Sequence, residues 1–193
     1  MKKFLFISIV LFSFVLVSCE LSQKPAKGFE DEIFVVADSV EYNEINESLK
    51  SVFEKEISTP QPEKLFTLKR INLSQLEKNE RTKNLIIAAP LNSGSRTSEY
   101  IKAIVDSSVE NKLSTDREFI AYKYDLWAKN QIVAVLAAPT IQDLNNKILS
   151  NSENLLYTFQ KKSDERLFNN LYNPTYEQKS IEGNFLRDYG WVI

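Results

Sequence analysis

The chain has 193 residues, among them 24 Lys or Arg, 26 Asp or Glu, one Cys and no His, and its formal net charge at pH 7 is −2. The absence of His excludes Ser-His and Cys-His nucleophilic catalysis, imidazole proton transfer and the usual zinc sites. The slightly acidic balance gives no sign of nucleic-acid binding, and a single Cys cannot form an internal disulfide.

The N-terminus has the pattern of a secretion signal. Residues 1–18 read MKKFLFISIVLFSFVLVS, with Lys2 and Lys3 ahead of an apolar run. The run is shorter than the roughly 20 residues that a membrane-spanning helix needs, but it suits a signal peptide. It closes with Leu16-Val17-Ser18-Cys19, which resembles the bacterial lipobox. The resemblance implies that Cys19 is lipidated and begins the mature chain. The alternative is an ordinary signal peptide followed by a chance Cys.

The lipobox interpretation predicts a lipid-anchored protein of the bacterial cell envelope. Two or more acyl chains hold a protein stably on a membrane, whereas one does so only marginally. Residues 19–29, which contain Pro25 and Gly28, are predicted to form a polar tether. We expect attachment to the outer membrane, facing the periplasm or the cell surface. Removal of Lys2 and Lys3 with the signal peptide changes the net charge from −2 to −4.

Residues 30–180 are expected to form one α+β domain. Apolar runs and alternation predict strands at 32–37, 65–71, 84–90, 118–125 and 131–139, the last two joined as a hairpin through Leu126–Asn130. Helical spacing predicts helices from Asp38 to Phe53, at 73–80, at 95–112 and from Thr140 to beyond Phe159. Asp38 and Glu41 are predicted to form a capping-box pair. The order of elements predicts a mixed or antiparallel sheet with helices packed mainly on one face.

Two strands end in similar sequences. Residues 85–90 read LIIAAP and residues 135–139 read VLAAP, and each precedes a predicted helix. The similarity could mark a duplicated strand-helix unit with both strands central and adjacent in one sheet. It could also reflect only that Pro is well placed where a strand ends.

Several motifs together resemble a family of Bacteroidota lipoproteins, domain of unknown function 4837. They are Pro60-Gln61-Pro62-Glu63 with Phe66, then Trp127-Ala128 with Gln131, and then Tyr189-Gly190. The resemblance covers most of residues 30–193 and implies an envelope lipoprotein with no assigned activity. Members of that family are longer, so residues 181–193 are expected to begin a further, truncated segment.

Few residues stand out as candidate binding sites. Arg96 follows a predicted strand at a helix start, where free N–H groups could hold an anion; capping by Ser95, Thr97 or Ser98 explains the same loop. Trp127 is an unusual aromatic residue in a hairpin connection, covered either by the protein itself or by a partner, and the resemblance pairs it with Gln131. Ser39, within Asp38-Ser39-Val40, resembles a Bacteroidota O-glycosylation signal, although a turn explains it as well.

No catalytic residue, metal site or cofactor is predicted. Glu30, Asp31 and Glu32 cluster without the spacing of a calcium loop. The sequence therefore favours a non-catalytic binding or assembly module, anchored to the membrane by lipid, for an envelope protein or ligand. The alternative is an envelope hydrolase that uses a pair of carboxylates.

Overall fold

A computed structural model describes residues 23–58, 60–115 and 118–172. The predicted signal peptide, Cys19 and the predicted segment 181–193 lie outside these residues. The strands are β1 (Glu32–Val36), β2 (Glu56–Ile57), β3 (Glu63–Lys64), β4 (Thr67–Ile71), β5 (Asn84–Pro90), β6 (Ile120–Tyr124) and β7 (Ile132–Ala138). The helices are α1 (Ser39–Phe53), α2 (Leu76–Asn79), α3 (Arg96–Ile104), α4 (Ser107–Ser114), α5 (Ile141–Ser150) and α6 (Ser152–Leu171), with short 3₁₀ turns at Leu73–Gln75 and Leu91–Ser93.

Five strands form one mixed sheet in the order β4-β1-β5-β7-β6. Strands β4, β1, β5 and β7 run parallel to one another. In β1, Val35 lies opposite Arg70 of β4 on one side and opposite Ile86 of β5 on the other. Strands β5 and β7 pair over their whole length, from Asn84 opposite Ile132 to Pro90 opposite Ala138. The edge strand β6 runs antiparallel to β7, as the predicted hairpin requires. Strands β2 and β3 form a separate small ribbon.

The sheet is buried on both faces. Strands β5 and β7 are buried at every position, which is the pattern of strands that are covered on both sides. Alternate side chains contribute to two separate core clusters. Helices α1, α5 and α6 cover the first cluster, where the Phe53 ring lies edge-on to those of Phe66 and Phe159 at centroid distances of 6.2 and 5.2 Å. The shorter helices α2, α3 and α4 cover the second cluster.

The predicted α+β class with a mixed sheet is confirmed. The three longest helices pack together on one face, as expected, and the shorter helices close the opposite face. The strands that end in Ala-Ala-Pro are central and adjacent. Their adjacency agrees with the duplication hypothesis, while the simpler explanation, that Pro suits a strand end, accounts for the sequence similarity equally well.

Two predicted helices are each divided in two. The helix predicted at 95–112 breaks at Val105 and Asp106, which have extended backbone angles, and the Asp106 carboxylate accepts hydrogen bonds from the backbone N–H groups of Ser108 and Val109. The helix predicted from Thr140 breaks at Asn151, whose side-chain amide donates to the Lys147 carbonyl at 3.0 Å. Short polar side chains that bond to nearby backbone compete with helix continuation, so the apolar spacing alone overestimated both lengths.

Part of the predicted tether is bound to the domain. Ala26 N–H donates to the Lys129 carbonyl at 2.9 Å, and Lys27 N–H donates to the Arg81 carbonyl at 2.8 Å. The Arg81 guanidinium donates to the Pro25 carbonyl at 2.8 Å. The segment around Pro25 to Lys27 therefore lies against the domain, within the stretch that the sequence predicts as a polar tether.

Among the described residues, no helix combines the length and apolar character that crossing a membrane requires.

Candidate functional site

The best candidate site lies at the carboxyl ends of the parallel strands. Strand β1 leads into α1 on one face of the sheet, its neighbour β5 leads into α3 on the other face, and β7 leads into α5 on the first face. A crevice opens where adjacent parallel strands send the chain to opposite faces, and such crevices are the usual ligand sites of open sheets. The sequence did not predict this site, because it depends on strand order.

A groove of about 360 Å³ occupies this position. We call it the carboxyl-edge groove. Its lining comes from the start of α1, the turn after β5 and the start of α5, and consists of Val40, Glu41, Glu44, Pro90, Asn92, Ser93, Pro139, Thr140, Ile141 and Gln142. The volume falls at the lower end of the usual range for small-molecule sites, roughly 300–1,000 Å³.

Hydrogen bonds hold the walls of the groove in place. Helices α1 and α5 are tied together by the Ser48 hydroxyl, which donates to Asn145 Oδ1 at 2.6 Å, and by the Asn145 amide, which donates to the Glu44 carbonyl at 2.8 Å. The turn after β5 is linked to the end of β7 by the Asn92 N–H, which donates to the Pro139 carbonyl at 3.2 Å. The walls are therefore preorganised by the fold.

Glu41 is the unusual residue of the groove. It is only 8% exposed, and its carboxylate atom Oε2 is closed to solvent with no hydrogen-bond partner among the described residues. The predicted capping-box pair with Asp38 is not formed, because the Asp38 side chain makes no capping hydrogen bond. A buried carboxylate oxygen without a hydrogen-bond partner is costly, so it marks a place where the protein gives up stability.

The helix ends around the groove differ in how they are capped. The α5 N-terminus is capped by the Thr140 hydroxyl, which accepts from Asp143 N–H, and the α3 N-terminus is capped by Ser95, which accepts from Ser98 N–H. The α1 N-terminus lacks a side-chain cap. Arg70, near the end of β4, donates to the Ala37 carbonyl just before α1 and to Asn72 Oδ1, and it does not line the groove.

A second polar cluster lies at the amino ends of the strands. Arg166 of α6 donates to Glu30 Oε2 at 2.7 Å, to Asn84 Oδ1 at 2.7 Å and to the Asn130 carbonyl at 3.2 Å. Lys83 forms an ion pair with Glu30 Oε1 at 2.7 Å. The charges are paired and hydrogen bonded, so we assign this cluster a structural role.

The charged groups of that cluster shift the pKa of Glu30. Burial raises this pKa, but the hydrogen bonds and charges of Lys83 and Arg166 outweigh burial and hold it below its ordinary value of 4.5. The Glu30 carboxylate is therefore ionised at neutral pH, as the ion pairs require.

The candidate binding residues from the sequence do not form one site. Arg96 is exposed at the start of α3, beyond the carboxyl end of β5. Trp127 and Gln131 lie in the hairpin that precedes β7, at the opposite edge of the sheet. Ser39 is exposed at the first residue of α1. Cys19 lies outside the described residues.

The contacts of Trp127 and Gln131 are mainly with other parts of the protein itself. Gln131 is fully buried, and its amide donates to the carbonyls of Glu80 and Thr82 at 2.5 and 2.7 Å while its oxygen accepts from Trp127 N–H at 3.1 Å. Trp127 is half-buried and packs against the second core cluster. Gln131 is therefore a structural residue, and the protein itself supplies part of the cover of Trp127.

Within the described residues, no group of three or more Cys, Asp or Glu side chains is placed to hold a metal ion. The acids Glu30 and Glu32 are instead used in ion pairs, Glu30 with Lys83 and Arg166 and Glu32 with Lys69.

Comparison with protein families finds one matching family model, described as a domain of unknown function (DUF8532), over residues 26–172. The chain belongs to this family. The match covers the sheet and all the helices described here. The resemblance to the Bacteroidota lipoprotein family is therefore wrong: its motifs are short, and their order alone did not identify the family. Comparison with curated proteins and with solved structures finds no match.

Proposed function

We propose that this protein is a lipid-anchored envelope protein that acts as a non-catalytic binding module, with the carboxyl-edge groove as its ligand site. The observation that carries the binding role is the preformed groove at the point where strands β1, β5 and β7 send the chain to opposite faces, with a buried, unpartnered carboxylate on its wall. The anchor rests on the sequence that ends at Cys19.

The binding role is tested by site-specific crosslinking in cells. A photo-crosslinking amino acid replaces Val40, which is 74% exposed at the rim of the groove. The matched control replaces Glu47, an exposed residue of the same helix that does not line the groove. We expect a discrete crosslinked product from position 40 and none from position 47. Equal crosslinking at both positions, or none at either, would argue against a ligand site in the groove.

The anchor has its own test. We expect Cys19→Ala to abolish incorporation of an alkyne fatty acid and to leave an unprocessed or soluble species, because lipid transfer requires the thiol. Metabolic labelling followed by detergent partitioning measures both effects. Unchanged labelling of the variant would refute lipidation at Cys19.

A second candidate function is an envelope hydrolase with two carboxylates. Glu41 and Glu44 both line the groove, one helical turn apart on α1, and side chains with this spacing have Cβ atoms about 5–6 Å apart. Glycoside hydrolysis uses a pair of carboxylates that face one cleft, and these are the two acids that the lining of the groove offers. In that case Glu41→Gln and Glu44→Gln would each abolish the release of reducing ends from envelope glycans. No release by the unmodified protein would eliminate this function.

A further inference from the structure

We propose that the carboxyl-edge groove binds a lysine side chain presented by a partner polypeptide, with the lysine ammonium group meeting Glu41. This inference rests on the proposed function of the groove as a ligand site, and it adds the chemistry of the ligand.

The first argument is that Glu41 has a buried carboxylate oxygen that lacks a hydrogen-bond partner within the described part of the chain. Its Oε2 atom is buried without a hydrogen bond, and the residue is 8% exposed. A buried carboxylate is stabilised by a cation that can also donate hydrogen bonds, and such charge-assisted bonds are the stronger ones. An ammonium group supplies both properties.

The second argument is the charge of the lining. Glu41 and Glu44 are its charged residues, and it contains no Lys or Arg. The uncapped N-terminus of α1 opposes them with only about half a positive charge. At α5 the Asp143 N–H is bonded to the Thr140 hydroxyl, and Asp143 adds a negative charge in the first turn. The balance of charge around the groove therefore favours a cation.

The third argument is the shape and polarity of the walls. Apolar surface comes from Val40, Pro90, Pro139 and Ile141. Lysine has a flexible four-carbon stem that can lie along such a surface while its compact ammonium group reaches a polar atom. The planar guanidinium group of arginine is best matched by two carboxylate oxygens, whereas the structure leaves one buried oxygen of Glu41 without a partner among the described residues. These features favour lysine over arginine.

The openness of the groove indicates a polypeptide as the source of the lysine. Val40, on the rim, is 74% exposed, and Glu44 beside it is also exposed. Small ligands are usually buried over roughly 70–90% of their surface, which an open groove does not provide. A peptide can place one side chain in the groove and cover Val40 with its neighbouring residues.

The test is an NMR titration of the isotope-labelled full chain in detergent micelles. The probe is the capped peptide Ala-Ala-Lys-Ala-Ala, compared with the same peptide carrying norleucine in place of lysine, and with n-butylamine. We expect the lysine peptide to shift the backbone amides of Asn92, Thr140 and Gln142, which line the groove. The norleucine peptide should bind at least about tenfold more weakly because it lacks the charge. We expect n-butylamine to bind at least about tenfold more weakly because it lacks the peptide backbone.

Variants separate the role of Glu41 from a general effect of charge. Glu41→Gln should weaken binding of the lysine peptide by about tenfold or more, with a melting temperature no lower than that of the unmodified protein. Glu47→Gln, on the same helix and outside the groove, should leave binding unchanged. The peptide comparison needs no variant, so it remains informative even if Glu41→Gln fails to fold.

Each contrary outcome overturns a different statement. Equal binding of the lysine and norleucine peptides would overturn the cation inference and leave the groove as a ligand site. Binding of n-butylamine as tight as that of the peptide would overturn the polypeptide source. Shifts with none of the probes, together with no crosslinking from position 40, would overturn both this inference and the proposed function.

Discussion

Two buried charged side chains, Arg166 and Glu41, have opposite surroundings. Arg166 is 5% exposed and donates hydrogen bonds to Glu30, to Asn84 and to the Asn130 carbonyl. Glu41 is 8% exposed, and one of its carboxylate oxygens has no partner. Buried charges in stable proteins are normally paired and hydrogen bonded. Arg166 follows this rule and is structural, whereas Glu41 departs from it and is the better functional candidate.

A second prediction about a single residue concerns Trp127 and asks whether the protein itself covers this aromatic side chain in the hairpin. Because Trp127 is half-buried against the second core cluster, we expect Trp127→Ala to lower the free energy of unfolding by about 1–3 kcal/mol, less than the roughly 3–5 kcal/mol of a fully buried Trp. Urea denaturation measures the change.

The control for this prediction is Tyr124→Ala, at the end of β6, where the side chain is 54% exposed. We expect a smaller loss from the control. If Trp127→Ala leaves the unfolding curve unchanged, the side chain contributes nothing to stability. Trp127 would then again be a candidate binding residue.

At the scale of elements, helix starts in this protein depend on short polar side chains. Ser95 accepts a hydrogen bond from Ser98 N–H at 3.1 Å and begins α3. Gly94, with φ of +65°, ends the preceding 3₁₀ turn in a left-handed conformation that glycine adopts without strain. The chain can therefore turn sharply from β5 into α3, and this turn forms one side of the groove.

Loss of this cap should have a measurable effect. We expect Ser95→Ala to lower the free energy of unfolding by about 1 kcal/mol, because a helix N–H loses its partner. Ser107→Ala is the control, since Ser107 is an exposed first-turn residue of α4 and not its cap. Thermal or urea unfolding of both variants gives the comparison, and equal effects would contradict a specific capping role.

The same local bonds explain where sequence analysis overestimated helix length. Ile101, Val105 and Val109 keep helical spacing across the break at Asp106, and all three contribute to or pack against the same core cluster. Periodicity records which side chains face the core, and two consecutive helices can share that face. Only the backbone angles show that the helix has been interrupted.

At the scale of the whole molecule, Glu30 joins segments that are distant in the sequence. Its carboxylate accepts hydrogen bonds from Ser163 and Arg166 of α6, which are 133 and 136 residues away, and pairs with Lys83 beside β5. The amino-terminal segment, the central strand and the longest described helix are thus held at one point. Its protonation should weaken the whole fold.

The direction of this pH dependence follows from the lowered pKa of Glu30. A carboxyl group whose pKa is lower in the folded state contributes stability that is fully present above its unfolded value, here 4.5, and that is lost as the pH falls through the folded value. We therefore expect the urea midpoint to fall as the pH is lowered below 4.5.

A variant distinguishes Glu30 from the other acids. Glu30→Gln should be less stable at neutral pH and should lose less further stability on acidification, because it has no proton to gain. Glu47→Gln serves as control, since Glu47 is exposed and pairs only at the surface with Lys50. Identical pH profiles for the unmodified chain and Glu30→Gln would show that Glu30 does not couple folding to pH.

The carboxyl-edge groove was not predicted from the sequence, and the predicted residue Arg96 is not among its lining residues. Arg96 was selected because it follows a strand and precedes a helix, and it does lie at the carboxyl edge of the sheet. Glu41 was interpreted as a capping residue, because an acid three positions after Asp38 fits that pattern. The sequence contains no signal for its burial, which arises from the approach of α5, about 100 residues later. Arg166 and Asn84 were missed for the same reason.

The sequence by itself determined the class of the fold, because apolar periodicity and turn residues are local properties of the chain. Strands β1, β5 and β7, the hairpin of β6 with β7, and the apolar faces of α1 and α5 follow from such patterns. Tertiary structure alone decided the strand order, the assignment of helices to the two faces and hence the carboxyl-edge groove. These features depend on contacts between residues far apart in the chain, and the pairing of β1 with β5 across some fifty residues leaves no mark in either segment alone.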